Sequence, residues 1–139
     1  MSVEENKAVV RRFHEELFNQ QNLAIADEIL APDIVCYGPD GGIYIKGREA
    51  YVQWTKRCLE MLPDYHIVYT DMLGEDEMVA FRWTVYATLK EGTRWIFGPV
   101  EKDTKIEWSG IDIFHFEDGK IARYYASARD EDVRKQLQA

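Results

Sequence analysis

The sequence predicts an α+β domain, with helices on one side of a curved antiparallel sheet, and three observations carry that prediction. Apolar residues recur at helical spacing as far as Leu62. From Asp64 onward the chain alternates apolar and polar over long runs rich in β-formers. Glu117-Asp118-Gly119-Lys120 joins two such runs, and Asp-Gly supplies the positive φ angles that a tight two-residue hairpin turn requires. Helices first and paired strands after is an α+β order. Long strands curved over helices would enclose a concave interior suited to a small apolar molecule. Residues 1–139 are expected to form one domain, long enough to bury its own core.

Ser2-Val3-Glu4-Glu5 has the form of a capping box, in which the Ser and the Glu three positions on each satisfy a free amide at a helix start. That helix is expected to run to about Gln20, with Val9, Val10, Phe13 and Leu17 on one face and Lys7, Arg11, Glu15 and Glu16 elsewhere. Asn22 suits the cap of a short second helix over residues 23–31, which Pro32 would stop. Residues 33–37 follow as a short strand, and Gly38-Pro39-Asp40-Gly41-Gly42 as a loop. A third helix is expected over residues 48–62, between Gly47 and Pro63, with Tyr51, Trp54, Cys58, Met61 and Leu62 in one stripe. Residues 65–73 and 78–90 read as strands on either side of a turn at Gly74-Glu75-Asp76-Glu77. Glu91-Gly92-Thr93 turns the chain into residues 94–97 and the irregular stretch 98–103. The hairpin, residues 104–128, and a short polar helix, Asp130–Gln138, complete it.

Composition excludes several classes of function. A chain that is 46% hydrophobic and 13% aromatic is globular rather than disordered. Its formal charge is −8, with no basic cluster, so nucleic acid and anionic membranes are poor partners. MSVEENKAVV lacks the positive segment and apolar run of a leader, and no stretch approaches transmembrane length; a cytoplasmic location is expected. Cys36 and Cys58 have no zinc or redox spacing and read as packing residues. His14, His66 and His115 lie far apart, form no metal-ligand spacing and read as surface residues. Without a glycine-rich phosphate loop or a GxSxG elbow, no cofactor or metal is expected. An acid–base site in an apolar pocket, or a ligand pocket without chemistry, remains.

Asp112 is the focus of that site. Side chains alternate across a strand, so Ile106, Trp108, Gly110, Asp112, Phe114 and Phe116 share one face of the first hairpin strand. Glu107, Ser109, Ile111, Ile113, His115 and Glu117 share the other. A carboxylate among rings loses hydration, which raises its pKa unless a donor compensates; an Asp so placed serves as a general base or a protonated donor near neutral pH. The pattern equally accommodates a structural Asp bonded to a backbone amide or an arginine, or one that meets water. Phe13, Trp54, Trp108 and Phe114 are expected as walls of the interior, with Phe13 and Trp54 also fitting a plain core role. Tyr37, Arg82 and Tyr125 are expected as polar contacts. Tyr37 stands where strand meets loop, and Tyr125 alternates with Ile121, Arg123 and Ser127. Arg82 lies between Phe81 and Trp83, and either pairs with Asp112 or is solvated outside.

Three stretches, NKAVVRRFHEELFNQQNLAIADEILAPDIV, VAFRWTVYAT and GIDIFHFEDGKI, with the order of elements, resemble the SnoaL-like polyketide cyclases, or ester cyclases, of the nuclear transport factor 2-like superfamily. The resemblance spans nearly the whole chain and implies a cone-shaped α+β barrel. It also implies a cofactor-free enzyme in which Asp112, by its place in GIDIFHF, removes a proton beside a carbonyl and returns one to the alkoxide of an intramolecular aldol closure. Ketosteroid isomerases carry a similar Ile-Asp-x-Phe-x-Phe run whose Asp is a protonated oxyanion donor. Phe13 stands where that branch has its tyrosine, and Gly38 near its base, which argues against steroid isomerisation. A cyclase loop GxPxTG reads Gly98-Pro99-Val100-Glu101-Lys102-Asp103 here, a Thr-His reads Thr88-Leu89, and a C-terminal Trp-Asp reads Tyr125-Ala126. Two further readings belong to the superfamily: epoxide hydrolysis, with Arg82 and Asp112 as two members of an Asp-Arg-Asp group, and binding of a small hydrophobic molecule without chemistry. The resemblance implies a homodimer through the sheet's outer face, where Ile111 and Ile113 sit.

Overall fold

Ser2 opens the first helix by the expected reciprocal cap: its hydroxyl accepts the Glu5 amide at 3.1 Å while the Glu5 carboxylate accepts the Ser2 amide at 3.2 Å. The computed structural model describes residues 1–139. Helix α1 (Val3–Arg12) continues directly into a π-helical segment, Phe13–Asn19. There the Gln20 amide donates five residues back to the Glu15 carbonyl, at 2.9 Å. Such wide turns recur at functional sites. Here Phe13, His14, Leu17 and Phe18 are all buried, so the segment presents more of its circumference to the interior. Asn19 fastens its end to the sheet, donating to the Ile67 carbonyl at 2.9 Å and accepting the Ile67 amide at 2.8 Å.

The second helix is shorter than its apolar pattern suggests. A 3₁₀ turn, Leu23–Ile25, leads to α2 (Ala26–Ile29), and strand β1 (Leu30–Tyr37) begins before Pro32. Pro32 therefore sits inside a strand, at an irregularity of register between Leu30 and Val35. Proline is tolerated there because the ladder is already interrupted. A short strand unforeseen from the sequence, β2 (Ile43–Lys46), pairs with β1 before α3 (Arg48–Met61).

The long strands follow the alternation closely: β3 (His66–Glu75), β4 (Met78–Leu89), two short strands β5 (Arg94–Trp95) and β6 (Gly98–Pro99), then β7 (Thr104–Glu117) and β8 (Lys120–Ala128). The hairpin turn is the expected one, with positive φ at Asp118 (51°) and Gly119 (76°). Six strands form one curved, unclosed sheet in the order β2-β1-β8-β7-β4-β3. The β1–β8 pair is parallel, a departure from the all-antiparallel expectation, because the long chain between them crosses over and returns beside β1 in the same direction. Helix α1 and the π-helical segment pack on β3 and β4, α3 packs on β1 and β2, and α4 (Asp130–Gln138) lies against β7. No helix is long and apolar enough to cross a membrane.

Candidate functional site

Strand parity delivers Asp112 to the interior. Ile106, Trp108, Gly110, Asp112, Phe114 and Phe116 are all buried on β7, while Ile111 and Ile113 are 57% and 39% exposed on the outer face. Asp112 lies opposite Phe81 of β4 and Ala126 of β8. Above it opens a cavity of about 570 Å³. The space exists because Ala126 and Ala128, which line it, place only methyl groups on this face. Its walls are aromatic: Phe13, Phe18, Trp54, Tyr65, Trp83, Trp108 and Tyr124 all border it.

Asp112 is 2% exposed, and burial pushes its pKa up to about 6. The Trp83 indole, the Tyr124 hydroxyl and the Ser127 amide face the carboxylate and oppose that rise without cancelling it. No hydrogen bond closes on Oδ1, which is buried without a partner, as is Nε1 of Trp83. Buried polar atoms are rarely left unpaired. Both residues border the cavity, so these two atoms lie within its lining.

Of the expected walls, Phe13, Trp54 and Trp108 border the cavity. Phe114 does not: it is fully buried behind the lining, with ring centroids 4.9 Å from Phe13 and 4.7 Å from Tyr124. The three expected polar contacts lie elsewhere. Arg82 points outward, between the buried Phe81 and Trp83, and pairs with Asp71 at 2.6 Å. Asp71 is the extra residue of a bulge between Thr70 and Met72, held at φ 47°, and Arg82 closes that bulge on the solvent side. Tyr37 and Tyr125 also face outward, stacked on each other with centroids 4.8 Å apart and planes 10° from parallel.

Tyr124 takes the inward place instead. The register slips between His115 and Phe116, so that Phe116 pairs with Ile121 and His115 with Arg123; Ala122 is the extra residue. One inserted residue reverses every later side chain on the strand. Strict alternation from Ile121 therefore chooses Tyr125 where the fold presents Tyr124. No residue type in the sequence announces this slip.

His14, read as a surface residue, is 1% exposed and borders the cavity. Its ring stacks on Tyr69 at 4.8 Å, and burial drives its pKa down to about 3, so the imidazole is neutral. A signal was present: His14 lies four residues after Val10 and four before Phe18, on the helix's buried stripe. Tyr44 and Asp130 are further lining residues that sequence reasoning passed over. Asp130 accepts the Trp108 indole N–H at 2.9 Å, tying the start of α4 to the cavity wall. Burial raises the Cys36 and Cys58 thiols to about 12, which leaves both protonated. No group of His, Cys, Asp and Glu side chains has a metal-holding arrangement.

The sequence model described as "SnoaL-like domain" matches residues 10–124. No curated relative matches the chain. Among solved structures it is similar to AclR, a candidate hydroxylase from Streptomyces galilaeus, at 22% identity and a TM-score of 0.82, covering 99% of this chain and 87% of that one. It is similar to a candidate polyketide cyclase from Acidithiobacillus ferrooxidans at 22% identity and a TM-score of 0.80, covering 99% and 98%. IdmH, a candidate polyketide cyclase from Streptomyces antibioticus, shares 18% identity at a TM-score of 0.79, over 96% and 99%. At these identities the likeness establishes the fold.

Proposed function

This chain belongs to the SnoaL-like domain family, within the nuclear transport factor 2-like superfamily, and on that premise we propose that it is a cofactor-independent enzyme of cyclase type acting on a small apolar carbonyl compound. The observation that carries the reading is the Asp112 carboxylate, buried in an apolar cavity with Oδ1 unpartnered and its pKa pushed up to about 6. Such a group is ionised at neutral pH yet basic enough to take a proton from carbon beside a carbonyl. The ionised form draws the proton onto its own oxygen and leaves an enolate. The enolate carbon attacks a second carbonyl of the same molecule, and the new alkoxide takes the proton back from Asp112. One C–C bond forms, no atom is gained or lost, and the carboxylate returns to its starting state. Trp83 Nε1–H, which has no partner of its own, is the donor available to the oxygen that gains charge. Asp112 thus serves as both base and acid, and the sequence of steps calls for no cofactor.

Epoxide opening by an Asp-Arg-Asp group loses its arginine, since Arg82 is paired with Asp71 on the outer face. The reading also includes a homodimer formed through that face.

Solvent exchange tests the proton step without knowledge of the natural substrate. In D₂O, the protein should speed deuterium incorporation beside the carbonyl of 2-tetralone, read by NMR. Asp112→Asn should slow the catalysed exchange by about 10²-fold or more. Equal exchange by the two proteins would defeat the assignment and leave a binding domain.

A further inference from the structure

Three carboxylates border the cavity, those of Asp40, Asp112 and Asp130, and no lysine or arginine does. None of the three takes part in any ion pair of the structure. Asp40 accepts the Gly42 amide at 2.9 Å and Asp130 the Trp108 indole at 2.9 Å; both donors are neutral and leave the negative charge uncompensated. Asp112 Oδ1, deep in the same space, has no partner at all. Tyr44, which also borders the cavity, has its hydroxyl pKa raised by burial first and then by Cys36, Asp112 and Asp130. The charged groups of the lining are therefore all acidic, in a chain whose formal charge is −8. Of the three only Asp112 is fully buried, but all carry negative charge at the cavity's border, where a cation is attracted and an anion is repelled. The lining also includes the indoles of Trp54 and Trp108, a residue type that attracts positive charge.

Resting on the reading of this cavity as a ligand site, we propose that its ligand is cationic: an apolar ring body against the aromatic walls, carrying a protonated amine that lies between Asp130 and Asp40. The amine supplies the charge partner that the protein withholds. It also orients the ring body, because the charged end is held at the open side of the cavity while the apolar end reaches toward Asp112. Compounds that carry a carboxylate or phosphate are selected against by the same three groups.

Calorimetric titration with three probes of one shape tests this: 2-(aminomethyl)naphthalene, 2-naphthalenemethanol and 2-naphthoate. At low salt the amine should bind about tenfold or more tighter than the alcohol, and the carboxylate weakest of all. Added salt should erode the amine's advantage and leave the alcohol unchanged. In the double variant Asp40→Asn, Asp130→Asn the advantage should shrink severalfold. The Asp130→Asn change keeps an amide oxygen as acceptor for Trp108, and the salt titration of the unaltered protein gives an answer that needs no substitution. Alcohol or carboxylate binding as tightly as amine, or an advantage that survives both salt and the double variant, overturns the proposal alone. Failure of all three probes to bind overturns the ligand-site reading with it. The Asp112→Asn exchange result stands apart from both, since charge preference at Asp40 and Asp130 needs no turnover.

Discussion

Asp112 sets a stability cost that depends on pH in a known direction. Its folded pKa, about 6, lies above the ordinary 3.8, so the folded protein holds this proton more tightly than the unfolded chain does. Below about pH 3.8 the group is protonated in both states and costs nothing; the cost grows as pH rises and is complete above 6, at roughly 3 kcal/mol. Asp112→Asn should therefore be more stable than the unaltered protein at pH 7 by roughly 2–3 kcal/mol, and the two should converge near pH 4. Urea denaturation at both pH values checks this. Comparing the two proteins also cancels His14, which acts in the opposite sense. Its folded pKa, about 3, lies below 6.5, so the stability it contributes is complete above 6.5 and is lost as pH falls toward 3. At this scale the sequence was legible for Asp112, because one carboxylate on an aromatic strand face contradicts its surroundings, and for the walls Phe13, Trp54 and Trp108. A histidine on a buried helical stripe carries no such contradiction, and Arg82 reads alike whether it faces in or out.

At the scale of elements, positions without side chains decide where side chains can go. Gly110 lies opposite Trp83 across the β4–β7 ladder. A Cβ built there would stand 2.5 Å from the Ser127 carbonyl oxygen, 2.7 Å from Trp83 Cζ2 and 2.9 Å from Ala128 Cα. Two of those contacts are backbone and cannot yield, so Gly110→Ala should cost about 1–3 kcal/mol in thermal unfolding and displace the indole that faces Asp112. The same variant should slow 2-tetralone exchange while Asp112 itself is intact. Bulges act as strongly. The extra residue Ala122 turns Tyr124 inward and Tyr125 outward, and the extra residue Asp71 supplies the partner of Arg82, which plain alternation on β4 already turns outward. Periodicity locates strands well, since alternation runs over many residues. It misses a single inserted residue, whose whole effect is to change phase without changing composition.

At the scale of the whole molecule, the sheet's outer face exposes several large apolar side chains among its charged ones. Ile111 is 57% exposed, Tyr86 44%, Val68 42% and Ile113 39%, all on one side of the sheet. A homodimer covering that face should appear in light scattering at twice the chain mass at micromolar concentration. Ile111→Glu should return it to a monomer without changing the helical content read by circular dichroism. A monomer in the unaltered protein would remove the dimer.

Hydrophobic periodicity, turn chemistry and one misplaced carboxylate were enough, by themselves, to determine the α+β order, the Asp118-Gly119 hairpin and the face that carries Asp112, because each depends on neighbours a few residues apart. Tertiary structure alone decided the rest: the parallel β1–β8 pair, Tyr124 in place of Tyr125, and Asp40 and Asp130 beside the cavity. Those outcomes turn on register and on contacts between segments distant in the chain. No local pattern of residue types records where two such segments meet.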